Sequence, residues 1–153
     1  MAQAIARYIK GPIVVEIGAG TGSLTRGILQ KTPPHNLYVV EMDEDMYHDL
    51  VKKFPKVKIL KGDASKLTEI LPPDIIGQID TIVSGIPLLN LSENDRKNIF
   101  DSCWSVLKKE GQILQFTYRP DCPIPKKKWH IHGQRLQYVL CNIPPAFVWR
   151  FTK

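Results

Sequence analysis

Residues 14–25 of the chain read VVEIGAGTGSLT. With Ile13 in front, Val14 and Val15 form a continuous apolar run rather than an alternating one, the pattern of a strand buried on both faces, and the run ends in glycines. Gly18, Gly20 and Gly22 allow a sharp turn into a helix, for which Ser23 is the expected N-cap. Glycines there let the backbone approach a ligand, and the helix start offers unpaired N–H groups. The spacing is GxGxG rather than GxGxxG, and Glu16 stands two residues before the first glycine. A carboxylate at that place repels a pyrophosphate but suits a ligand that carries an ammonium and a sulfonium. An ordinary tight strand-to-helix turn is the plain alternative.

Outward from this turn, strand-like and helix-like stretches alternate, the sign of strand-helix-strand units and a mainly parallel sheet. The sequence predicts strands at NLYVVEMD (36–43), VKILKGD (57–63), IDTIVSG (79–85) and QILQFTYRP (112–120). It predicts helices at LTRGILQK, EDMYHDLVKKF and ASKLTEIL, and in SENDRKNIFDSCWSVLKKEG a longer one with Ser92 as cap, a terminal lysine pair and a glycine stop. Residues 121–133, rich in proline, lysine and histidine, read as a loop. RLQYVLCNI and AFVWRFTK then read as two strands joined by Pro-Pro-Ala, a connection short enough to imply an antiparallel pair.

Bulk composition narrows the class. A length of 153 residues fits one domain, taken as 1–153, and no apolar run reaches the roughly 20 residues that cross a bilayer. The opening MAQAIARYIK lacks the apolar core of a secretory signal, and Cys103, Cys122 and Cys141 are spaced like free thiols of a reducing cytosol. The net charge of +6 favours polyanionic partners, whether nucleic acid or an anionic lipid surface.

Two further acids follow the glycine turn. Glu41 closes the second strand, where a carboxylate can accept both hydroxyls of a ribose, and Asp63 closes the third, where it can accept from an adenine amino group. Three acids at successive strand ends converge on one crevice. On these residues the chain resembles the class I S-adenosylmethionine-dependent methyltransferases, an α/β Rossmann-like fold with a mostly parallel seven-stranded sheet, helices on both faces and a C-terminal antiparallel pair. The resemblance implies S-adenosylmethionine as cofactor. Glu16, Gly18, Ala19, Gly20 and Thr21 would hold its methionine part, Glu41 the ribose, and Asp63 with Ala64 the adenine. Met42 either packs on the adenine ring or simply packs, and Ser84 completes the cofactor set.

The stretch after the fourth strand, Ser84-Gly85-Ile86-Pro87-Leu88, separates the substrates. Enzymes of this class that methylate nucleobase amines commonly put Asn or Asp there, then prolines and an aromatic, because the amide accepts from the amino group and the ring stacks on the base. Here both are missing. VSGIPLLN, QFTYRP and NIPPAFVWRF look instead like bacterial phospholipid N-methyltransferases, which convert phosphatidylethanolamine to phosphatidylcholine. The resemblance implies Gly85, Ile86, Pro87 and Arg119 as substrate-binding residues, with Arg119 near the lipid phosphate.

For the chemistry, Tyr118 is the preferred catalytic candidate, through its attraction for the growing quaternary ammonium or through proton handling, with His130 and His132 behind it. A tyrosine closing the core edge and solvated loop histidines are the alternatives. Lys126, Lys127 and Lys128, with Trp129, suit a bilayer surface, and Trp104 and Trp149 read as packing. The opening helix, with Ile5, Tyr8 and Ile9 on one side, either lies in the interface or packs on the sheet. The expected setting is cytoplasmic, peripheral on the cytosolic membrane face. An RNA adenine methyltransferase, a small-molecule methyltransferase and a non-catalytic cofactor-binding protein are the rival readings.

Overall fold

A computed structural model of the chain describes residues 5–139 and 146–153. Three strands, β1 (Val14–Ile17), β2 (Leu37–Glu41) and β4 (Ile79–Ser84), are buried along their whole length, as continuous apolar runs in the middle of a parallel sheet should be. By contrast, β3 (Lys58–Lys61) has exposed lysines at both ends and forms one edge of the sheet, where charge discourages pairing with another chain. With β5 (Leu107–Thr117), β6 (His132–Val139) and β7 (Ala146–Thr152) the sheet has seven strands in the order β3-β2-β1-β4-β5-β7-β6. The first five are parallel to one another, and β7 runs antiparallel to both β5 and β6. Strand order reverses at β1 and β4, which opens a crevice beyond their carboxyl ends.

Two apolar clusters surround the sheet. One holds Ile5, Leu24 and Ile28 of α1 (Ser23–Ile28) and Leu50 of α2 (Glu44–Lys53), against Val14, Val39 and Val83. The other holds Leu67 of α3 (Leu67–Ile70) and Ile99, Phe100, Cys103 and Val106 of α4 (Glu93–Val106), against Val15, Ile82, Ile113 and Trp149. Successive residues of β1, β4 and β5 alternate between the clusters, as the strand period of two requires. Asp43 caps α2 by accepting from the Met46 N–H, and acids in the first turn with lysines in the last suit the helix dipole. Ser92 caps α4 as its sequence suggests.

Three expectations change, and one open alternative is decided. Ser23 is already helical: Gly22, at φ 78°, takes the cap position because the turn needs a left-handed residue there. The lysine pair does not end α4, which stops at Val106; Leu107 is extended and pairs with Ile79, and Lys108 forms an ion pair with the buried Asp80, whose other oxygen accepts from the Ile13 N–H. That tertiary pairing overrides local helix propensity. Within the expected loop, Lys126–Trp129 forms a single helical turn, α5, and β6 begins earlier than expected, at His132. Ile5 is fully buried and Tyr8 and Ile9 pack on the core, so the opening segment lies on the sheet rather than in a membrane interface. The end of the RLQYVLCNI strand, Cys141 and the prolines that follow fall outside the described residues.

Candidate active site

The carboxyl ends of β1, β2, β3 and β4 surround a cavity of about 590 Å3, within the range of roughly 300–1,000 Å3 that holds small-molecule ligands. Gly18, Gly20, Glu41, Met42, Asp63, Ala64, Gly85, Ile86 and Pro87 line it together. The glycine turn makes this possible: Gly18 and Gly20 have φ of 67° and 54°, and a Cβ on Gly20 would meet nothing within 4 Å, so the backbone there faces open space. Gly85 is held at the opposite limit, since a Cβ on it would stand 2.6 Å from the Gly18 carbonyl. The turn after β4 therefore rests directly on the turn after β1.

Glu41 organises this floor. Its Oε2 accepts from the Gly20 N–H at 2.8 Å, and its Oε1 accepts from Met42 and Asp43 at 2.9 and 3.0 Å. An ionised carboxylate has roughly four acceptor sites, so one remains for a ligand hydroxyl where the sequence suggests two. Asp63 is exposed, and its Oδ1 accepts from the Ser65 N–H at 2.8 Å, which leaves the second oxygen for a ligand donor. Met42, 67% exposed, and Met46 give the cavity an apolar wall.

Glu16 lies beside this floor without lining the cavity. It is fully buried, and desolvation, with a smaller push from the Glu41 charge, raises its pKa from 4.5 to about 8. Thr25 lies near enough to favour the ionised form slightly, yet among the described residues neither Glu16 oxygen nor Thr25 Oγ1 makes a hydrogen bond of good geometry. A buried carboxyl left unsatisfied, next to a cavity of this size, is chemistry that fits a cationic ligand.

The remaining sequence candidates sit apart from the cavity lining. Ala19 is in the core, and Thr21 is exposed in a neighbouring concavity, its carbonyl accepting from Lys53 at 2.6 Å. Ser84 is buried at the end of β4. Tyr118, the catalytic candidate, is 51% exposed and stands edge-on to Phe116. Arg119 is exposed beside Asp121, and His130 and His132 are exposed at the start of the C-terminal hairpin. Of the three lysines, Lys126 donates to the Gly133 carbonyl, Lys128 pairs with Glu93, and Lys127 is exposed. Cys103 is buried and Cys122 half-buried, and desolvation pushes both thiols up, as suits packed rather than reactive sulfurs.

Sequence reasoning missed the contribution of α4. Asp95, Asn98 and Ile99 line the cavity from one helical face, and their i, i+3, i+4 spacing is the signal that could have placed them. Met46, on α2, was missed because its exposed side chain looks solvated in sequence.

A doubly wound sheet with acids at successive strand ends and a glycine turn over a nucleoside-sized cavity defines the class of Rossmann-like S-adenosylmethionine-dependent methyltransferases. The chain belongs to the methyltransferase domain family, whose model matches residues 14–111. It is 33% identical over 112 residues to an ornithine lipid N-methyltransferase of Singulisphaera acidiphila, covering 71% of this chain and 58% of that protein. It is 34% identical over 103 residues to a ribosomal RNA small subunit methyltransferase A of a Hydrogenobaculum species, covering 66% of this chain and 40% of that one. The chain thus spans 58% or less of these two curated relatives. The crystal structure of TrmN from Thermus thermophilus superposes with a TM-score of 0.70 at 18% identity, over 99% of this chain and 48% of that one, a likeness of fold alone. The methyltransferase domain is thus shown, and S-adenosylmethionine is the cofactor of its class. Among the described residues, no helix is long and apolar enough to cross a membrane.

Proposed function

We propose that this chain, as one domain over 1–153, transfers methyl groups to the amine of a phospholipid such as phosphatidylethanolamine and its partly methylated forms. The observation that carries the reading is the cavity's acceptor side. Ile86, Pro87, Leu91 and Ile99 stand there, and no aromatic side chain lines the cavity among the described residues. A flat heterocycle would find no ring to stack on, whereas a small alkyl amine needs none. Similarity to a protein named for lipid N-methylation supports the same acceptor class.

S-adenosylmethionine, when bound, would supply an electrophilic methyl group to the amine. The chain's residues then bind and orient. Gly18 and Gly20 take the methionine end at the cavity floor, with Glu16, Ala19 and Thr21 of the same strand and turn behind and beside them. Glu41 takes a ribose hydroxyl with its remaining acceptor site, and Asp63 and Ala64 take the adenine, with Met42 and Met46 against the ring. Gly85, Ile86 and Pro87 receive the acceptor. Tyr118 and Arg119, exposed just beyond β5, are available to the quaternising headgroup and to the lipid phosphate. Lys127 and its neighbours are attracted to an anionic leaflet by on the order of 1 kcal/mol each, which fits a peripheral position on the cytosolic membrane face.

The reading is tested with labelled S-adenosylmethionine and four acceptors: phosphatidylethanolamine vesicles, ornithine lipid vesicles, ribosomal RNA, and buffer alone. Label in amine lipid, lost in Asp63→Ala, is the expected result. Label in RNA alone would establish instead the rRNA methyltransferase reading, which the net charge of +6 and the second relative favour.

A further inference from the structure

Of the ten residues of α2 only Leu50 is buried, so the place of this helix beside the sheet rests largely on its two ends. At the first end Glu44 pairs with Lys61, the residue before Gly62 and Asp63, and Met46 lines the cavity. At the last end the helix meets the glycine turn. Leu50 and Phe54 pack against Gly22, where a Cβ would stand 2.5 Å from the Phe54 ring, and Lys53 Nζ donates to the Thr21 carbonyl at 2.6 Å. Between these contacts and Met46 the turn and the helix stand apart, and a second concavity opens there, lined by Gly20, Thr21, Met46 and Leu50 among others.

The turn is therefore held from two sides by opposite charges. Glu41, at the end of β2, accepts from the Gly20 N–H at 2.8 Å, and Lys53, at the end of α2, donates to the carbonyl one residue further on. The Gly20–Thr21 peptide lies between the two. Gly18, Gly20 and Gly22 have φ of 67°, 54° and 78°, values that glycine adopts without strain and leaves as readily, because no side chain confines its backbone. Fixing such a turn costs entropy. A ligand that needs it fixed loses apparent affinity in proportion to the time the turn spends elsewhere.

We propose that Lys53 is a positioning residue for the cofactor: its ammonium pins the Thr21 carbonyl and so keeps the glycine turn in the conformation that receives S-adenosylmethionine. That role rests on the proposed seating of the methionine end at Gly18 and Gly20. Lys53 does not line the cavity, so it acts through the backbone of the turn and not by touching the ligand. The sign of the effect separates this role from a simple charge effect. S-adenosylmethionine is a net cation, with an ammonium and a sulfonium against one carboxylate, so a nearby lysine acting by its field alone repels it and its removal would tighten binding. Losing the bond to Thr21 weakens binding instead.

Calorimetric titration of S-adenosylmethionine into Lys53→Met tests this, with amide hydrogen exchange at residues 18–22 measured on the same proteins. The expected result is an affinity lower by about 3- to 10-fold, the scale of one exposed charge-assisted hydrogen bond, and restored to within about twofold in Lys53→Arg, which keeps a donor. Without cofactor the amides of the turn should exchange about 3- to 10-fold faster in Lys53→Met, and saturating cofactor should erase the difference. Lys52→Met removes the same charge one residue earlier and should leave affinity and exchange within about twofold. Lys53 is exposed, so its variants should melt where the wild type does. Unchanged affinity and exchange in Lys53→Met, or equal losses in Lys52→Met and Lys53→Met, would overturn the inference. Glu41→Gln, on the other side of the turn, separates the two ways of failing: if it weakens cofactor binding while Lys53→Met does not, only the role of Lys53 is refuted, and if neither does, the seating of the cofactor on this turn is refuted as well.

Discussion

Replacing Glu16 by Gln should make the cofactor-free protein more stable and a poorer binder at the same time. Glu16 is wholly buried, and desolvation lifts its pKa to about 8 from 4.5. An acid whose folded pKa is raised binds more protons in the native state than in the unfolded one across that window, so its contribution to stability is intact below pH 4.5 and is lost progressively as pH rises to about 8. Each pH unit is worth about 1.4 kcal/mol. Wild-type protein is therefore penalised by about 3 kcal/mol at pH 7 and by on the order of 5 kcal/mol above pH 8. Gln keeps the volume and cannot ionise, so the variant escapes the penalty. Urea unfolding of both proteins from pH 4.5 to 9, without cofactor, measures it: the two curves should meet near pH 4.5 and diverge to a plateau above pH 8. Calorimetric titration should show the reverse for S-adenosylmethionine, with affinity lowered about 10- to 100-fold at pH 8 and less at pH 6, where the wild-type carboxyl is itself largely neutral. A stability difference that stays flat across this range, or a variant less stable at pH 8, would refute the reasoning.

Glu41→Gln replaces one of the oxygens that hold Gly20, Met42 and Asp43 with an amide donor, and S-adenosylmethionine affinity by calorimetry should fall about 10- to 100-fold, the scale of one or two charge-assisted hydrogen bonds. In Gly85→Ala the new methyl would stand 2.6 Å from the Gly18 carbonyl, a backbone atom that cannot swing aside, so thermal unfolding should show a loss of about 2–4 kcal/mol together with loss of methyl transfer. Asp80→Asn weakens the pair with Lys108 and the bond to the Ile13 N–H at the opposite end of β4. Because Lys108 is about half exposed, the loss should be modest, about 1–2 kcal/mol in urea, and cofactor affinity of the folded protein should not change.

The sequence by itself determined the sheet's inner strands, because Val14 to Ile17, Leu37 to Val40 and Ile79 to Val83 carry apolar runs that are buried on both faces. It also made the cavity floor legible: Gly18 and Gly20 at positive φ belong to a turn that a short stretch specifies unaided, and Glu41 and Asp63 stand where the strand ends put them. What it could not determine depends on residues far apart in the chain. Leu107 to Glu110 have the composition of a helix end but belong to β5, since pairing with Ile79 and the Asp80–Lys108 contact outweighs local propensity. Trp149, read from sequence as packing, does pack, yet only the strand register places it in one cross-strand row with Gln115 and Ser84. Gln115 itself gave no signal, because a glutamine in a strand is ordinarily half-solvated. Its burial and its bond to the Ile86 carbonyl arise from strand order, which sets β5 between β4 and β7 and so gathers three distant segments behind one wall of the cavity.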